Sequence, residues 1–399
     1  MKLKVNYMSV IEYIIAIFLV LDINVVWVRQ YSLGDDFFTR ILCILLLFYC
    51  LLNLKKIRKK DLNLCALFCV YVFISGIFAG VKNAFVALIE VGIGFALISL
   101  TVKINNESKR SLLYQKISDV IVLMSLSSLF FYIFGTILNV LPGRHYVNFY
   151  WGSNVSVQSY FNIYYESQQT MLGTNIVDRN CGLYTEGPMY AFVISIALIY
   201  EMLIRQKMHL KRILILIFAG ITTFSTSAQC IIIVCISFRV LIYFKEKYRN
   251  KLYLAITMIV VPVLIVIVAS LIIYFVSIKQ GSSMSIRTMD LLACLAAWKK
   301  SPLFGIGIMN YDPIFSMFDT YRYGQGLSTG LLILLAQTGI VMLGIPVTFL
   351  YKYQKNVKVW LCFLALLFMY LVTNVPYKML IPTTFMSLCF INSRGKDVK

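Results

Sequence analysis

Two long polar segments, residues 141–188 and 279–329, interrupt an otherwise apolar chain, and each contains two arginines. The four are Arg144, Arg179, Arg287 and Arg322. A guanidinium group is planar, always charged and able to bind two oxygens at once, which suits it to phosphate groups. The four arginines are therefore candidate diphosphate-binding residues. The alternative for each is a contact with a lipid headgroup or a salt bridge to a nearby acidic residue.

The first polar segment is also rich in aromatic residues. They are Tyr146, Phe149, Tyr150, Trp151, Tyr160, Phe161, Tyr164 and Tyr165. Such rings can stack on sugars, but Tyr and Trp also collect at the headgroup level of a membrane. An interfacial aromatic belt is the favoured interpretation.

Metal and cofactor chemistry are not expected. The ten cysteines include no Cys-x-x-Cys pair, and neither of the two histidines lies in a Cys/His cluster. Eight cysteines lie in or beside apolar runs. Cys181 and Cys294 lie in the polar segments, where two unpaired thiols are favoured over a disulfide. His209 lies in a basic turn, and no neighbour marks His145 as a base.

Membrane helices are the elements that must position these residues. The chain is 60% hydrophobic and 14% charged, with a mean hydropathy of +0.81, whereas soluble proteins are about 45–50% apolar and about 25% charged. Backbone that faces lipid must satisfy its own hydrogen bonds, so we predict an all-α polytopic membrane protein. The net charge of +20 does not indicate nucleic-acid binding, because Lys and Arg occur in short clusters between apolar runs.

The apolar runs number about twelve, at roughly 20 residues each. If both termini are cytoplasmic, 26 of the 37 Lys and Arg residues lie inside and the other 11 lie outside, as the positive-inside rule requires. Both polar segments then lie on the outer face. Residues 213–244 are long enough for two crossings, with a polar break at 222–229.

Three carboxylates lie within apolar runs: Glu12, Asp22 and Glu90. Such groups usually face the bundle interior or a water-filled cavity. They are either proton sites of a transporter or neutral, hydrogen-bonded groups. The second interpretation is favoured for Glu90, because no membrane-embedded Lys or Arg pairs with it obviously.

The second polar segment contains a helical pattern that begins at Arg287. Apolar residues follow at spacing i, i+4 and i+7, namely Leu291, Leu295 and Trp298. The pattern ends at Pro302, which is followed by Gly305 and Gly307. We therefore predict a short amphipathic helix that lies at the membrane surface, ends at the proline and turns back through the glycines.

Residues 179–188, RNCGLYTEGP, resemble the R-x-x-G-x-[FY]-x-E-x-P motif of O-antigen and capsular polysaccharide polymerases of the Wzy type, which are relatives of the O-antigen ligases. Residues 287–307 resemble the second motif of that family, an Arg followed by a helix and a P-[LF]-x-G-x-G turn. Residues 327–339 are similar to the segment that precedes its next crossing. The resemblance covers about residues 175–350. The turn residues of these motifs are Gly182, Pro188, Pro302, Gly305, Gly307 and Gly339.

The resemblance implies a metal-independent glycosyltransferase with a GT-C-like helical fold in the bacterial inner membrane. It would join undecaprenyl-diphosphate-linked oligosaccharide repeat units on the outer face, making O-antigen, capsule or exopolysaccharide. Arg179 and Arg287 would stabilise the diphosphate leaving group. Glu186 and then Asp178 are the candidate general bases, and Glu186 equally suits a role in orienting Arg179. The implied partners are membrane lipid, a flippase and a chain-length regulator, with no nucleic acid.

Two alternatives stay open. In the ligases the third segment usually begins with His-Asn, eleven residues before the glycine, whereas this chain has Ser328 in the histidine position, which argues against a ligase. A flippase or transporter of lipid-linked oligosaccharide is expected to line a path with charges from both faces. Here the candidate charges cluster in the outer segments.

Overall fold

The computed structural model describes residues 6–108, 111–151, 154–172, 175–247, 282–318, 327–353, 356–373 and 377–391, together with positions 263, 266 and 270. These residues are mostly helical. In chain order the helices are α1 (Tyr7–Leu21), α2 (Val26–Gln30), α3 (Phe37–Leu52), α4 (Lys59–Ile77), α5 (Val81–Glu107), α6 (Leu113–Ile137), α7 (Gly187–Ile204), α8 (Leu210–Thr222), α9 (Thr226–Lys247), α10 (Ser282–Lys300), α11 (Asp312–Phe315), α12 (Gly330–Tyr353), α13 (Val357–Leu371) and α14 (Leu380–Cys389).

Six of the described helices are long and apolar enough to cross a membrane, namely α4, α5, α6, α7, α9 and α12. The shorter helices α1, α3, α13 and α14 are also apolar. This set of helices fits the predicted polytopic membrane protein. The break predicted at 222–229 is present, because α8 ends at Thr222 and α9 begins at Thr226. The apolar run at about 252–278 lies almost wholly outside the described residues.

The prediction that the fold is all-α is wrong for the first polar segment, which contains five strands. They are β1 (Arg144–Tyr150), β2 (Asn154–Tyr160), β3 (Tyr164–Glu166), β4 (Gln169–Leu172) and β5 (Asn175–Asp178). The first three form an antiparallel sheet in the order β1-β2-β3, and the last two form a separate hairpin. Successive side chains of a strand point to opposite faces, and here apolar residues alternate with polar ones. As a result Val147, Phe149 and Val157 share one face of the sheet, which packs against Val26 and Tyr165.

The predicted helix of the second polar segment is present as α10, but its buried face differs from the predicted one. Leu291 is 41% exposed, whereas Ala293, Cys294 and Ala297 are buried against α12, at Ala336 for example. Small residues allow two helix backbones to approach closely in a membrane protein, where lipid gives apolar side chains no reason to turn inward. The small-residue face therefore decides the packing.

Buried ion pairs connect the helices at the end of the bundle away from the polar segments. The sequence suggests that Lys116 belongs to a basic connection, but it lies inside α6 with its side chain fully buried. Lys116 is ion-paired with Glu12 and donates to the Ser9 hydroxyl at 2.9 Å. Tyr49 donates its hydroxyl hydrogen to Glu12 Oε1 at 2.6 Å. Glu12 is thus a paired interior carboxylate that holds three helices together.

Candidate functional site

Arg179 is anchored to the turn between α8 and α9. Its side chain is buried, with the residue 6% exposed. Nε donates to Thr223 O at 2.8 Å, Nη2 to Phe224 O at 3.0 Å and Nη1 to Gln168 Oε1 at 2.8 Å. Thr223 and Phe224 follow the end of α8, where backbone carbonyls lack helical partners. Arg179 therefore satisfies these carbonyls while bringing a positive charge into the site.

The small residues of the first motif bring α7 against this arginine. A Cβ added at Gly187 would lie 2.8 Å from Arg179 Nε and 2.9 Å from Thr223 O, so a side chain there is excluded. Gly182 has φ +57°, a left-handed conformation that favours glycine. Pro188 lies in the first turn of α7, where its missing N–H costs no helical hydrogen bond. Gly187, which sequence reasoning did not select, makes the closest approach.

Glu186 lies at the N-terminus of α7 and is half-buried. Its Oε1 accepts a hydrogen bond from Trp151 Nε1 at 2.8 Å. The Trp151 ring lies 5.2 Å from the guanidinium carbon of Arg29, a cation–π distance.

Arg287 of α10 lies within electrostatic range of Arg179, although 108 positions separate them in the chain. Burial is the main cause that lowers the pKa of Arg179 below its usual value. The charge of Arg287 lowers that pKa further, while the charges of Cys181 and Glu186 raise it. Arg287 itself is exposed, and it forms no hydrogen bond or ion pair within the part of the chain that the structure describes. The site thus combines one buried, anchored arginine with one open arginine.

Asp290, the acidic residue nearest to Arg287 in the sequence, is not its salt-bridge partner. Asp290 is fully buried, and its Oδ2 accepts a hydrogen bond from the backbone N–H of Ser328 at 2.8 Å. This contact joins α10 to the segment that leads into α12. Ser328 therefore participates through its backbone in holding the second polar segment together.

The other predicted site residues have partners of their own or lie outside the described residues. Arg144 forms an ion pair with Glu166 at 2.6 Å, which neutralises its charge. Asp178 is half-buried on β5, and its Oδ1 accepts from Gln169 Nε2 at 2.9 Å. Arg322 lies outside the described residues.

The second and third motifs meet at a break in α12. Gly339, with φ +65° and ψ −170°, interrupts the helix and leaves the preceding carbonyls without their helical partners. Residues 302–307 supply replacements. Ile306 N donates to Ala336 O at 2.9 Å, and Gly307 N donates to Gln337 O at 3.0 Å.

The backbone N–H groups that follow Gly339 in turn donate hydrogen bonds to carbonyls of residues 302–307. Ile340 N donates to Pro302 O at 3.0 Å, and Val341 N donates to Leu303 O at 3.3 Å. Irregular backbone at membrane depth is tolerated where protein satisfies its hydrogen bonds. Residues 302–307 and the α12 break therefore form one structural unit, although 30 or so residues separate them in sequence.

The glycines of these motifs permit the close contact. A Cβ at Gly305 would lie 2.3 Å from the carbonyl carbon of Gln337. A Cβ at Gly339 would lie 2.2 Å from Leu303 O. Both are far below any normal contact distance, and both residues have positive φ. Their role is to let two backbones pair, with no side chain between them.

The carboxylates of two other apolar runs also have partners near the polar segments. Asp22 accepts from the Thr39 hydroxyl at 2.5 Å and pairs with Lys378 at 3.3 Å. Glu90 lies within electrostatic range of Asp36 and Lys378. Lys378 is the cation that sequence reasoning did not connect to these groups.

Sequence reasoning also missed Gln168 and the carbonyls of Thr223 and Phe224, which hold Arg179. The polar letters TTFSTSAQ within an apolar stretch marked the break at 222–229, but they did not indicate what binds there. Gln168 Oε1 accepts from both Arg179 and Gly187 N, the latter at 3.1 Å, and so joins the arginine to the start of α7.

Comparisons with models of protein families, with curated protein sequences and with solved structures give no match to this chain. The function is therefore inferred from the chemistry of the site.

Proposed function

We propose that this protein is a polysaccharide polymerase that joins undecaprenyl-diphosphate-linked oligosaccharide repeat units. The observation that carries this proposal is that Arg179 and Arg287, two arginines from different polar segments, lie within electrostatic range of each other, and that Glu186 lies within range of Arg179. Two neighbouring cations repel each other, and the carboxylate of Glu186 offsets only part of their combined charge. Such an arrangement is stabilised when an anion of high charge density, such as a diphosphate, binds between them.

The two arginines suit different parts of this task. Arg179 is fixed by three hydrogen bonds before any substrate arrives, so its charge is preorganised for a developing negative charge. Arg287 is exposed and has no partner among the described residues, so its whole guanidinium fork is available to phosphate oxygens. The leaving group in this reaction is the lipid diphosphate, and the two cations stabilise it without a metal ion.

Glu186 is the first candidate for the general base that accepts the proton of the acceptor hydroxyl. Its charge acts on Arg179, so it belongs to the same cluster. Trp151 occupies only one of its carboxylate oxygens in the described contacts. Asp178 is the second candidate, and its Oδ1 is already hydrogen-bonded to Gln169.

The proposed setting is the bacterial inner membrane, with both termini cytoplasmic, about twelve crossings and a GT-C-like arrangement of helices. Both polar segments lie on the outer face in this proposal. There they meet the lipid-linked substrate, a flippase that delivers it and a chain-length regulator.

A transporter of lipid-linked oligosaccharide is the second candidate, because α12 is broken as many transporter helices are. In transporters the unwound backbone lines a binding site. Here the freed groups at Gly339 are hydrogen-bonded to residues 302–307 instead. That difference favours the polymerase.

A deletion strain distinguishes the two candidates. Loss of a polymerase leaves single repeat units exported and attached at the cell surface, whereas loss of a flippase leaves them inside the cell. We expect exported single units and the return of long chains with the wild-type gene. Accumulation of repeat units inside the deletion strain would refute the polymerase.

A further inference from the structure

The hairpin of β1 and β2 turns one face towards solvent. Directly opposite residues in an antiparallel pair share a face. Three such pairs on the outward face are Tyr146–Gln158, Asn148–Ser156 and Tyr150–Asn154. Tyr146 is 69% exposed and Tyr150 is 62% exposed, while the opposite face of the hairpin is buried.

None of these six side chains is charged, although the chain carries a net charge of +20. The fourth pair on this face is Arg144–Tyr160, and the charge of Arg144 is compensated by its ion pair with Glu166. Asn148, Asn154 and Ser156 form no side-chain hydrogen bond within the described residues. Amide and hydroxyl groups both donate and accept, as sugar hydroxyls do. Aromatic rings offer apolar surface together with a polar tip. This combination matches a neutral saccharide, whose rings present apolar C–H faces and hydroxyl edges.

A groove lies where this hairpin meets α2. Its volume is about 310 Å³, which lies at the lower end of the range for small-molecule sites. The groove is lined by residues of α2, of the segment after it and of both faces of the hairpin. They are Arg29, Gln30 and Ser32, then Asn148, Tyr150, Asn154 and Ser156 of the outward face, and Phe149 and Val155 of the other face. Arg29 is paired with Asp35 at 2.8 Å, so its charge is already compensated.

The residue that follows Tyr150 of the groove contacts the candidate catalytic carboxylate. Trp151 directly follows Tyr150, and its Nε1 donates to Glu186 Oε1 at 2.8 Å. The last outward-facing residue of β1 is therefore directly followed in sequence by the side chain that contacts Glu186.

We propose that the outward face of the β1–β2 hairpin and its groove bind a neutral oligosaccharide. The sequence favours an interfacial aromatic belt for these tyrosines, but a belt needs only the rings. The amide and hydroxyl groups of Asn148, Asn154 and Ser156, which form no hydrogen bond within the described residues, favour a saccharide instead. The identification of the ligand as an oligosaccharide repeat unit rests on the proposed function. The preference for a neutral saccharide rests on the side chains of the hairpin.

The test measures binding of oligosaccharides released by partial hydrolysis of the host cell's own surface polysaccharide. Purified full-length protein in nanodiscs is immobilised, and affinity is read by biolayer interferometry. We expect Tyr150→Ala and Asn154→Ala each to weaken binding about tenfold, the effect of losing one favourable contact. Tyr351→Ala is the matched control, because Tyr351 is 79% exposed on α12, far from the hairpin in sequence. It should bind as wild type does.

Three results would overturn the proposal. They are an absence of binding by the wild-type protein, equal affinities for the wild type and both hairpin variants, and a hairpin variant that changes only the oligomeric state. The last result would make this face an interface between copies of the chain. Arg287→Ala separates this proposal from the proposed function. It should keep oligosaccharide binding, because the released oligosaccharide lacks the diphosphate. Wild-type polysaccharide chain lengths in the Arg287→Ala variant would refute the proposed polymerase function but would not contradict the saccharide site.

Discussion

Arg287→Ala is the cleanest perturbation of the proposed diphosphate site. Arg287 is exposed on α10 and forms no hydrogen bond or ion pair with any described residue. Its loss should change the free energy of unfolding by no more than about 0.5 kcal/mol, as for other surface substitutions without partners. Arg179→Ala is less informative, because it also removes three buried hydrogen bonds and leaves backbone carbonyls unsatisfied.

The expected loss of activity follows from one charge-assisted contact. Such a contact is worth about 1.5–3 kcal/mol, and about 1.4 kcal/mol corresponds to a factor of ten in rate. Arg287→Ala should therefore lower the rate of polymerisation about tenfold to a hundredfold. Arg287→Lys restores the charge but not the two-pronged geometry, so it should recover only part of the rate.

The assay is long-chain polysaccharide on a gel, normalised to membrane-inserted protein. Lys299→Ala is the matched control, because Lys299 is an exposed cation on the same helix. It should leave chain lengths unchanged. Wild-type chain lengths from Arg287→Ala would refute the diphosphate role. An equal loss of long-chain polysaccharide in the Arg287→Ala and Lys299→Ala variants would show that only the net charge of α10 matters.

Three further predictions concern the residues around this pair. Gly339→Ala should yield little folded protein, because its Cβ would lie 2.2 Å from a backbone oxygen of the facing segment, whereas Gly344→Ala, with no atom within 4 Å, should not lower the yield of monodisperse protein. Equal yields would contradict the backbone pairing. Ser328→Ala should keep substantial polymerisation, because the contact with α10 uses the backbone N–H; complete loss at normal protein levels would show that the hydroxyl is catalytic. Gln168→Glu places a carboxylate against Arg179 and should lower polymerisation about tenfold without lowering the melting temperature, because it neutralises the charge that the leaving group needs. Unchanged chain lengths would show that this charge is not used.

The positions of the helices could be predicted largely from the apolar runs, because membrane thickness imposes their length. The break between α8 and α9 was visible as a polar stretch at 222–229. The strands of the first polar segment were missed, although Val147 and Phe149 alternate with polar residues. The high content of Tyr, Asn and Ser in this segment masks that alternation, and the sheet is stabilised by tertiary packing against Val26.

The packing face of α10 and the partners of Arg179 could not be read from the sequence for physical reasons. In a membrane protein, large apolar residues such as Leu291 can face outward, so their spacing does not identify the buried face. Arg179 is held by the backbone carbonyls of Thr223 and Phe224, and backbone groups carry no sequence signature. The motifs did predict that Gly305 and Gly339 matter, but not that they face each other's backbone.

The most direct test of the proposed reaction uses purified protein in liposomes with an undecaprenyl-diphosphate-linked repeat unit and a metal chelator. The measurement is the release of undecaprenyl diphosphate together with the growth of oligosaccharide chains. We predict one undecaprenyl diphosphate released for each new glycosidic bond, and a rate lowered about tenfold or more by Arg287→Ala. Movement of the lipid-linked unit across the bilayer without chain growth would contradict the polymerase and favour a transporter.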